Sequence, residues 1–183
     1  GVRLDVDDID KKQHNFLASV AFSIRGDGAV ALFDVSTGSC FVHSTESIDE
    51  LIEILKQYRP AEIVFPSVLL AVPFSKSTKE FQLVQTSYRT WEGVSLFRPF
   101  ENPGRGKLEK RITALYTSST DTQRVSILSE SISALTELGL AALSIVIDYA
   151  EEIACRTGVV ITSFELGSFE KVALIDSATR RNL

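Results

Sequence analysis

Residues 47–66 read SIDELIEILKQYRPAEIVFP, and this stretch decides how we expect the chain to fold. It opens with a capping box, in which the Ser47 side chain accepts from the backbone of Glu50 and the Glu50 carboxylate reaches back. Apolar residues then recur at helical spacing until Pro60, which cannot continue a helix. Residues 61–65 read as a short strand. A strand–helix–strand connection of this kind is expected to be parallel and right-handed.

The segment before this stretch predicts three antiparallel strands. Apolar and small residues alternate over residues 18–24, which is the period expected of a strand. Residues 29–35 are apolar on both faces except at Asp34, which indicates a central strand that is covered on both sides. Two turn sequences, RGDG and STG, separate these strands from each other and from a third strand at residues 39–43.

The rest of the chain predicts further helices and one more strand of the sheet. The predicted elements are a helix at residues 68–72, a strand at 95–100, a charged amphipathic helix at 105–116, a buried helix at 132–156, and a hairpin-like pair at 159–166 and 172–175. Three antiparallel strands, a helix, a parallel strand, a helix and a fifth strand make the order found in ribonuclease-H-like domains. We therefore predict an α/β domain with a ribonuclease-H-like mixed five-stranded sheet that is flanked by helices.

Composition argues against several classes of protein. The 183 residues carry a formal net charge of −5, which argues against broad nucleic-acid binding by this segment because phosphate contacts need a basic face. No apolar run approaches the roughly 20 residues of a membrane span, so we expect no membrane partner. Cys40 and Cys155 are expected to be reduced and buried, with a single disulfide as the alternative.

The sequence lacks a recognisable catalytic motif. Asp34 is the candidate ligand for a nuclease metal site, but that chemistry needs several carboxylates that converge on two metal ions. Glu62, Glu92 and Glu101 do not clearly supply these partners, and an Asp at a strand end commonly bonds to the backbone that follows it. The GRGKL sequence at residues 104–108 fails the spacing of a phosphate-binding loop. We predict a non-catalytic domain without catalytic, cofactor-binding or metal-binding residues.

Four stretches resemble the MutS family of DNA mismatch-recognition proteins, and specifically its connector domain. They are residues 15–18 (NFLA), 33–38 (FDVSTG), 51–66 (LIEILKQYRPAEIVFP) and 176–183 (DSATRRNL). They resemble, in order, the entry strand, the D-x-S-T-G hairpin, the helix followed by P-A-E-I and a strand, and the D-x-x-T-R-R-N-L run that marks entry into the core domain. Residues 86–137 match the family poorly. Because the family continues beyond this last motif, we expect the chain to be a piece of a longer protein.

The resemblance implies a division of the chain into three parts. Residues 1–15 would be the linker from the mismatch-binding domain, residues 16–158 the ribonuclease-H-like connector domain, and residues 159–183 the truncated start of the core domain. The connector domain would join its neighbouring MutS domains and contribute to MutL recruitment. The alternative is a divergent ribonuclease-H-like, metal-dependent nuclease.

The resemblance also implies properties of the full-length parent. That protein would bind mismatched DNA and would use ATP and Mg at a site outside this chain, which itself would need no cofactor. It would work where DNA is kept, in the bacterial cytoplasm or in a eukaryotic nucleus or organelle.

A local concentration of positive charge supplies the candidate partner-binding residues. Arg105, Lys107, Lys110 and Arg111 lie on the predicted charged helix of an otherwise acidic chain. In the family, the corresponding helix lies on the connector face that looks toward MutL, so the resemblance implies a docking surface. The alternative is a solvated helix face with weak ion pairs.

Overall fold

A computed structural model describes residues 16–23, 25–34, 37–66, 68–69, 72–73, 79–88, 94–98, 104–116, 122–158 and 165–168. Its elements are, in chain order, β1 (Phe16–Phe22), β2 (Gly28–Asp34), β3 (Ser39–Thr45), α1 (Ile48–Tyr58), β4 (Glu62–Pro66), β5 (Val68–Leu69), β6 (Val72–Pro73), α2 (Lys79–Tyr88), β7 (Val94–Arg98), α3 (Arg105–Tyr116), α4 (Thr122–Ser133), α5 (Glu137–Thr157) and β8 (Glu165–Ser168). The predicted alternation of strands and helices is thus present, with two additional helices.

The main sheet is mixed and follows the strand order β7-β4-β1-β2-β3-β8. Strands β1, β2 and β3 pair antiparallel, whereas β4 is parallel to β1 and β7 is parallel to β4. Every residue of β2 is buried, which confirms the prediction of a central strand covered on both faces, and every residue of β1 is buried as well. The parallel relation predicted for β4 is confirmed as well.

The two faces of the sheet carry different helices. On one face, α5 covers β1, β2 and β3, together with apolar residues of α3 and α4. On the other face, α1 packs with Val84 of α2. Helix α5 approaches the sheet closely because the residues between them are small: the Ser19 hydroxyl donates to the Ala142 carbonyl oxygen at 2.5 Å. A Cβ at Gly139 would lie 3.4 Å from Val42. The prediction of helices on both faces is confirmed.

Helix α1 begins with the predicted cap, with one change of partner. The Ser47 hydroxyl accepts from the Glu50 N–H at 3.3 Å, as expected. The Glu50 carboxylate reaches back one residue farther than in a capping box and accepts from the Glu46 N–H at 2.9 Å. The hydrogen bond from the Glu46 N–H and, after it, that of His43 to the other Glu50 oxygen lower the pKa of Glu50. Pro60 stops the helix, and Arg59 before it takes a left-handed backbone with φ of 43°.

Two sequence predictions, the number of strands and one short helix, are corrected by the structure. The sheet has six strands in the described part of the chain, because Glu165–Ser168 pairs parallel with β3. This sixth strand lies within residues 159–183, which were predicted to start the core domain; residues 159–164 and 169–183 lie outside the described ranges. The helix predicted at residues 68–72 is wrong, since strands β5 and β6 pair there as a small antiparallel sheet.

The helix predicted at residues 132–156 begins later, at Glu137, because residues 132–133 are the end of a separate helix, α4. Helix α4 ends at Ser133, and α5 begins after Thr136, whose hydroxyl accepts from the Gly139 N–H at 3.0 Å. The Thr136 hydroxyl also lies 2.9 Å from the Ser44 hydroxyl on β3. The chain therefore turns at residues 134–136 because a threonine cap, anchored to the sheet, starts a new helix there.

The cysteine prediction is half correct. Both cysteines are free, so the structure contains no disulfide between them. Cys40 is buried on β3, and that burial raises the pKa of its thiol well above the ordinary range. Cys155 is exposed near the end of α5, which contradicts the expectation that both would be buried.

Candidate partner-binding surface on helix α3

Helix α3 begins at a glycine that its backbone requires. Gly104 has φ of 72°, in the left-handed region that favours glycine, and its carbonyl accepts from the Leu108 N–H at 3.1 Å. Leu108 and Ile112 are buried against the core on the α5 face of the sheet. The GRGKL sequence therefore forms the residue before α3 and the first turn of this helix, with a buried leucine.

Arg105 holds α3 to the end of α4. Its Nη1 donates to the carbonyl oxygens of Ile132 at 2.5 Å and Ser133 at 2.8 Å, and its Nη2 donates to that of Leu135 at 2.9 Å. The same guanidinium lies 3.7 Å from a carboxylate oxygen of Glu137. This predicted partner-binding residue thus has an internal role.

Arg111 binds two acidic side chains of α5. Its guanidinium donates to the carboxylates of Asp148 and Glu151 through different nitrogens. Partial burial alone would lower the pKa of Arg111, but the hydrogen bonds and charges of Glu151 and Asp148 outweigh that effect and raise it. Arg111 is therefore held in place inside the domain, and its positive charge is largely neutralised there.

Lys107 and Lys110 remain exposed on the outer side of α3. We call this pair the lysine surface. Glu109, between them in sequence, accepts from the Ser129 hydroxyl at 2.5 Å and so faces α4. Of the four predicted partner-binding residues, the structure leaves these two facing solvent, while Arg105 and Arg111 are bound to neighbouring helices.

The candidate nuclease carboxylates are not brought together. Asp34 pairs with Phe16 across β1 and β2, and Phe16 belongs to the core on the α1 face. Glu62 pairs with Leu17, which belongs to the core on the α5 face, and it accepts a hydrogen bond from the Tyr149 hydroxyl. Because side chains directly opposite on paired strands share a face, Asp34 and Glu62 lie on opposite faces of the sheet.

The remaining acidic candidates, Glu92 and Glu101, lie outside the described residues. Within the described ranges, no three or more His, Cys, Asp or Glu side chains gather where they could hold a metal ion. Nor does any helix of the described part have the length and apolar composition to cross a bilayer.

Sequence reasoning missed the acidic and backbone partners of the two arginines. Asp148 and Glu151 are three apart, so they share a face of α5, and they follow an apolar run. That spacing indicates an exposed polar stripe on an otherwise buried helix, which could have marked α5 as the partner of a basic helix. The carbonyl groups that Arg105 binds carry no such signal, because every residue has one.

Comparison with known proteins identifies the family. The model of MutS domain II matches residues 15–161. The DNA mismatch repair protein MutS of Desulfitobacterium hafniense (strain Y51) is 34% identical over 94 residues, which cover 51% of this chain and 10% of that protein. The chain therefore spans about a tenth of the length of this curated relative.

Solved structures show more distant likenesses. A Fowlpox virus resolvase in complex with Holliday junction DNA matches with a TM-score of 0.48 and 12% identity, over 75% of this chain and 98% of that one. A mutant nuclease domain of the large terminase subunit of bacterial virus Sf6, with manganese, matches with a TM-score of 0.38 and 6% identity, over 76% and 70% of the two chains. Likenesses this weak carry no functional argument.

The family match covers β1 to α5 continuously, and its stretch contains every strand of the main sheet except β8, together with the lysine surface. The sequence resemblance to a connector domain is thereby confirmed. The chain belongs to the MutS family, and residues 15–161 are its domain II, the connector domain.

Proposed function

We propose that this chain joins the mismatch-binding and core domains of a MutS-type mismatch-recognition protein and contributes to the recruitment of a MutL-type partner. The observation that carries the proposal is the match of residues 15–161 to MutS domain II. The three-part division of the chain, with the linker at residues 1–15 and the start of the core domain at 159–183, belongs to this proposal.

The activities of the longer protein are part of the proposal as well. Mismatched DNA would bind through the full-length protein, and ATP with Mg would be hydrolysed at a site beyond this chain. The chain itself would need no cofactor. The full-length protein would act in the bacterial cytoplasm or, in a eukaryote, in the nucleus or an organelle.

The lysine surface is our proposed docking point for the MutL-type partner. Lys107 and Lys110 present positive charge to solvent in a chain whose net charge is −5. A basic patch on an acidic protein favours an acidic partner surface, mainly by raising the rate of encounter and by fixing orientation. Arg105 and Arg111 are left out of the docking point, because their guanidinium groups are already bound within the domain.

The alternative function, that of a metal-dependent nuclease, has less support than the connector function. Two-metal cleavage needs carboxylates that converge on one site, and the sheet register separates Asp34 from Glu62 by placing them on opposite faces. We therefore propose that the domain is non-catalytic and serves as a connector and docking module.

The test is a charge reversal of the lysine surface in the full-length protein. The Lys107→Glu/Lys110→Glu variant should slow association with the MutL-type partner about tenfold at low salt, since electrostatic steering is strongest there. Binding to mismatched DNA should be unchanged. Association can be followed by surface plasmon resonance on immobilised mismatched DNA with ATP present.

The matched control is Lys56→Glu/Lys79→Glu. Both lysines are exposed, and they lie on α1 and α2, on the face of the sheet opposite to α3. Reversing these two charges changes the net charge by the same amount as reversing Lys107 and Lys110. This control should associate like the unmodified protein. If the lysine surface can be reversed at low salt without any loss of association rate, the docking proposal is wrong.

A further inference from the structure

The end of helix α4 is capped by a side chain from another helix. The last carbonyl groups of a helix have no donors within the helix itself, and they are commonly satisfied by a following residue in the left-handed conformation. None of residues 134–136 has a positive φ. The Ile132 carbonyl oxygen accepts one backbone N–H, that of Leu135, at 3.2 Å. Arg105 donates to the carbonyl oxygens of Ile132, Ser133 and Leu135. We call these three hydrogen bonds the Arg105 cap.

The chemistry of arginine suits this position. A guanidinium is planar, permanently charged and carries five donors in a fixed fork, so a single side chain can satisfy several carbonyl groups with one orientation. A cation at a helix C-terminus is also favoured by the helix dipole. A lysine could supply the charge there, but its single ammonium nitrogen could not reproduce the donor geometry.

The other contacts between α3 and α4 include one hydrogen bond farther along α3, from the Ser129 hydroxyl to Glu109, and apolar packing. Leu108 and Ile112 of α3 share an apolar cluster with Leu128 and Ile132 of α4, and apolar burial is non-directional. The Arg105 cap is directional, and it acts at the first residue of α3. Lys107 follows two residues later on the same rigid helix, so any rotation of α3 at this end moves the lysine surface with it.

We propose that Arg105 is the positioning residue of the lysine surface: through its cap on α4, it fixes the orientation in which Lys107 and Lys110 meet an acidic partner, without itself contacting that partner. The inference rests on the proposed docking function of Lys107 and Lys110. It adds that docking depends on the geometry of a partly buried hydrogen-bond fork as well as on surface charge.

The experiment uses Arg105→Lys, with Arg105→Ala beside it, in the full-length protein. Arg105→Lys keeps the net charge but loses the fork. Two quantities are measured: the association rate with the MutL-type partner at low salt, and the hydrogen-exchange protection of amides in α3 and α4. We expect both variants to slow association about threefold or more and to lower protection in these two helices while that of β1 and β2 is retained.

The outcomes separate the two proposals. If Arg105→Lys associates like the unmodified protein while the Lys107→Glu/Lys110→Glu variant is slow, docking on the lysines stands and the positioning role of Arg105 is overturned. If exchange protection of α3 and α4 is unchanged in Arg105→Lys, the positioning role is overturned as well. If reversal of the two lysines has no effect, the docking function itself fails. Should Arg105→Ala not fold, Arg105→Lys decides the question alone.

Discussion

Replacing Leu108 by alanine tests whether α3 is an integral part of the domain. Leu108 is 1% exposed and packs with α4 and α5 on the α5 face of the sheet. The substitution removes three buried carbon atoms, worth about 0.8 kcal/mol each, or about 2.4 kcal/mol together. The cavity that remains should bring the total loss of unfolding free energy to about 3–4 kcal/mol.

Leu83→Ala is the matched control, because Leu83 also lies in a helix but is 38% exposed. The change in helix propensity is the same for both substitutions, whereas solvent can fill the space left at Leu83. We expect a loss of about 1 kcal/mol there.

Urea denaturation followed by circular dichroism measures both variants. For a urea m-value of about 2 kcal/mol/M, the Leu108 variant should unfold at a urea concentration about 1.5–2 M lower than the unmodified chain. The Leu83 variant should shift by about 0.5 M. If the two variants lose the same free energy, Leu108 is not buried as described, and the placement of α3 against α4 and α5 is wrong.

The further predictions concern the cap of α1, the absence of catalysis and the absence of a preference for mispaired DNA. Ser47→Ala should lower the unfolding free energy by about 1 kcal/mol, because the Glu50 N–H loses its acceptor; thermal melting would show it, and an unchanged melting temperature would contradict it. Because the pKa of Glu50 is lowered in the folded state, its contribution is present above the unfolded pKa and is lost as pH falls through the folded pKa. Glu50→Gln should therefore be less stable than the unmodified chain at pH 7 and equally stable at about pH 2.5, and a stability difference that persists at the lower pH would argue against the assigned hydrogen bonds. Finally, the chain should cleave neither RNA nor DNA with Mg²⁺ or Mn²⁺, and it should not prefer mispaired duplex; metal-dependent cleavage that disappears in Asp34→Asn would refute the first expectation.

Local signals predicted the elements whose stability is decided locally. The cap at Ser47 and the stop at Pro60 bound α1 in the sequence and in the structure alike, because both act through the backbone of neighbouring residues. The alternation and the turns that predicted the first three strands also act over short distances. The strand ends differed by up to two residues, with β1 at Phe16–Phe22 and β3 at Ser39–Thr45.

The sequence mispredicts the type or the ends of elements that depend on contacts with residues far away in the chain. The sequence predicts a helix where β5 and β6 pair antiparallel, since a short apolar run does not distinguish a helix from a strand. The boundary between α4 and α5 was missed because no glycine or proline marks it. That boundary depends on Arg105 from α3 and on Ser44 beside Thr136 from the sheet, and no local pattern could reveal those contacts.

The candidate carboxylates show a second limit of sequence reasoning. Asp34 and Glu62 both lie at strand ends, and the sequence left open whether they could meet. The register of β1 with β2 and with β4 decides that they lie on opposite faces. The register of β4 is set by pairing with β1, which lies about 40 residues away in sequence, so this outcome belongs to the tertiary structure.

The sequence by itself determined that a charged helix lies at residues 105–116 and that the chain resembles a MutS connector domain. It treated Arg105, Lys107, Lys110 and Arg111 as one basic group, because side-chain charge is all that a sequence displays. The tertiary structure divided them: packing against α4 and α5 brings backbone carbonyls to Arg105 and carboxylates to Arg111, while the helical rotation between positions leaves Lys107 and Lys110 facing solvent.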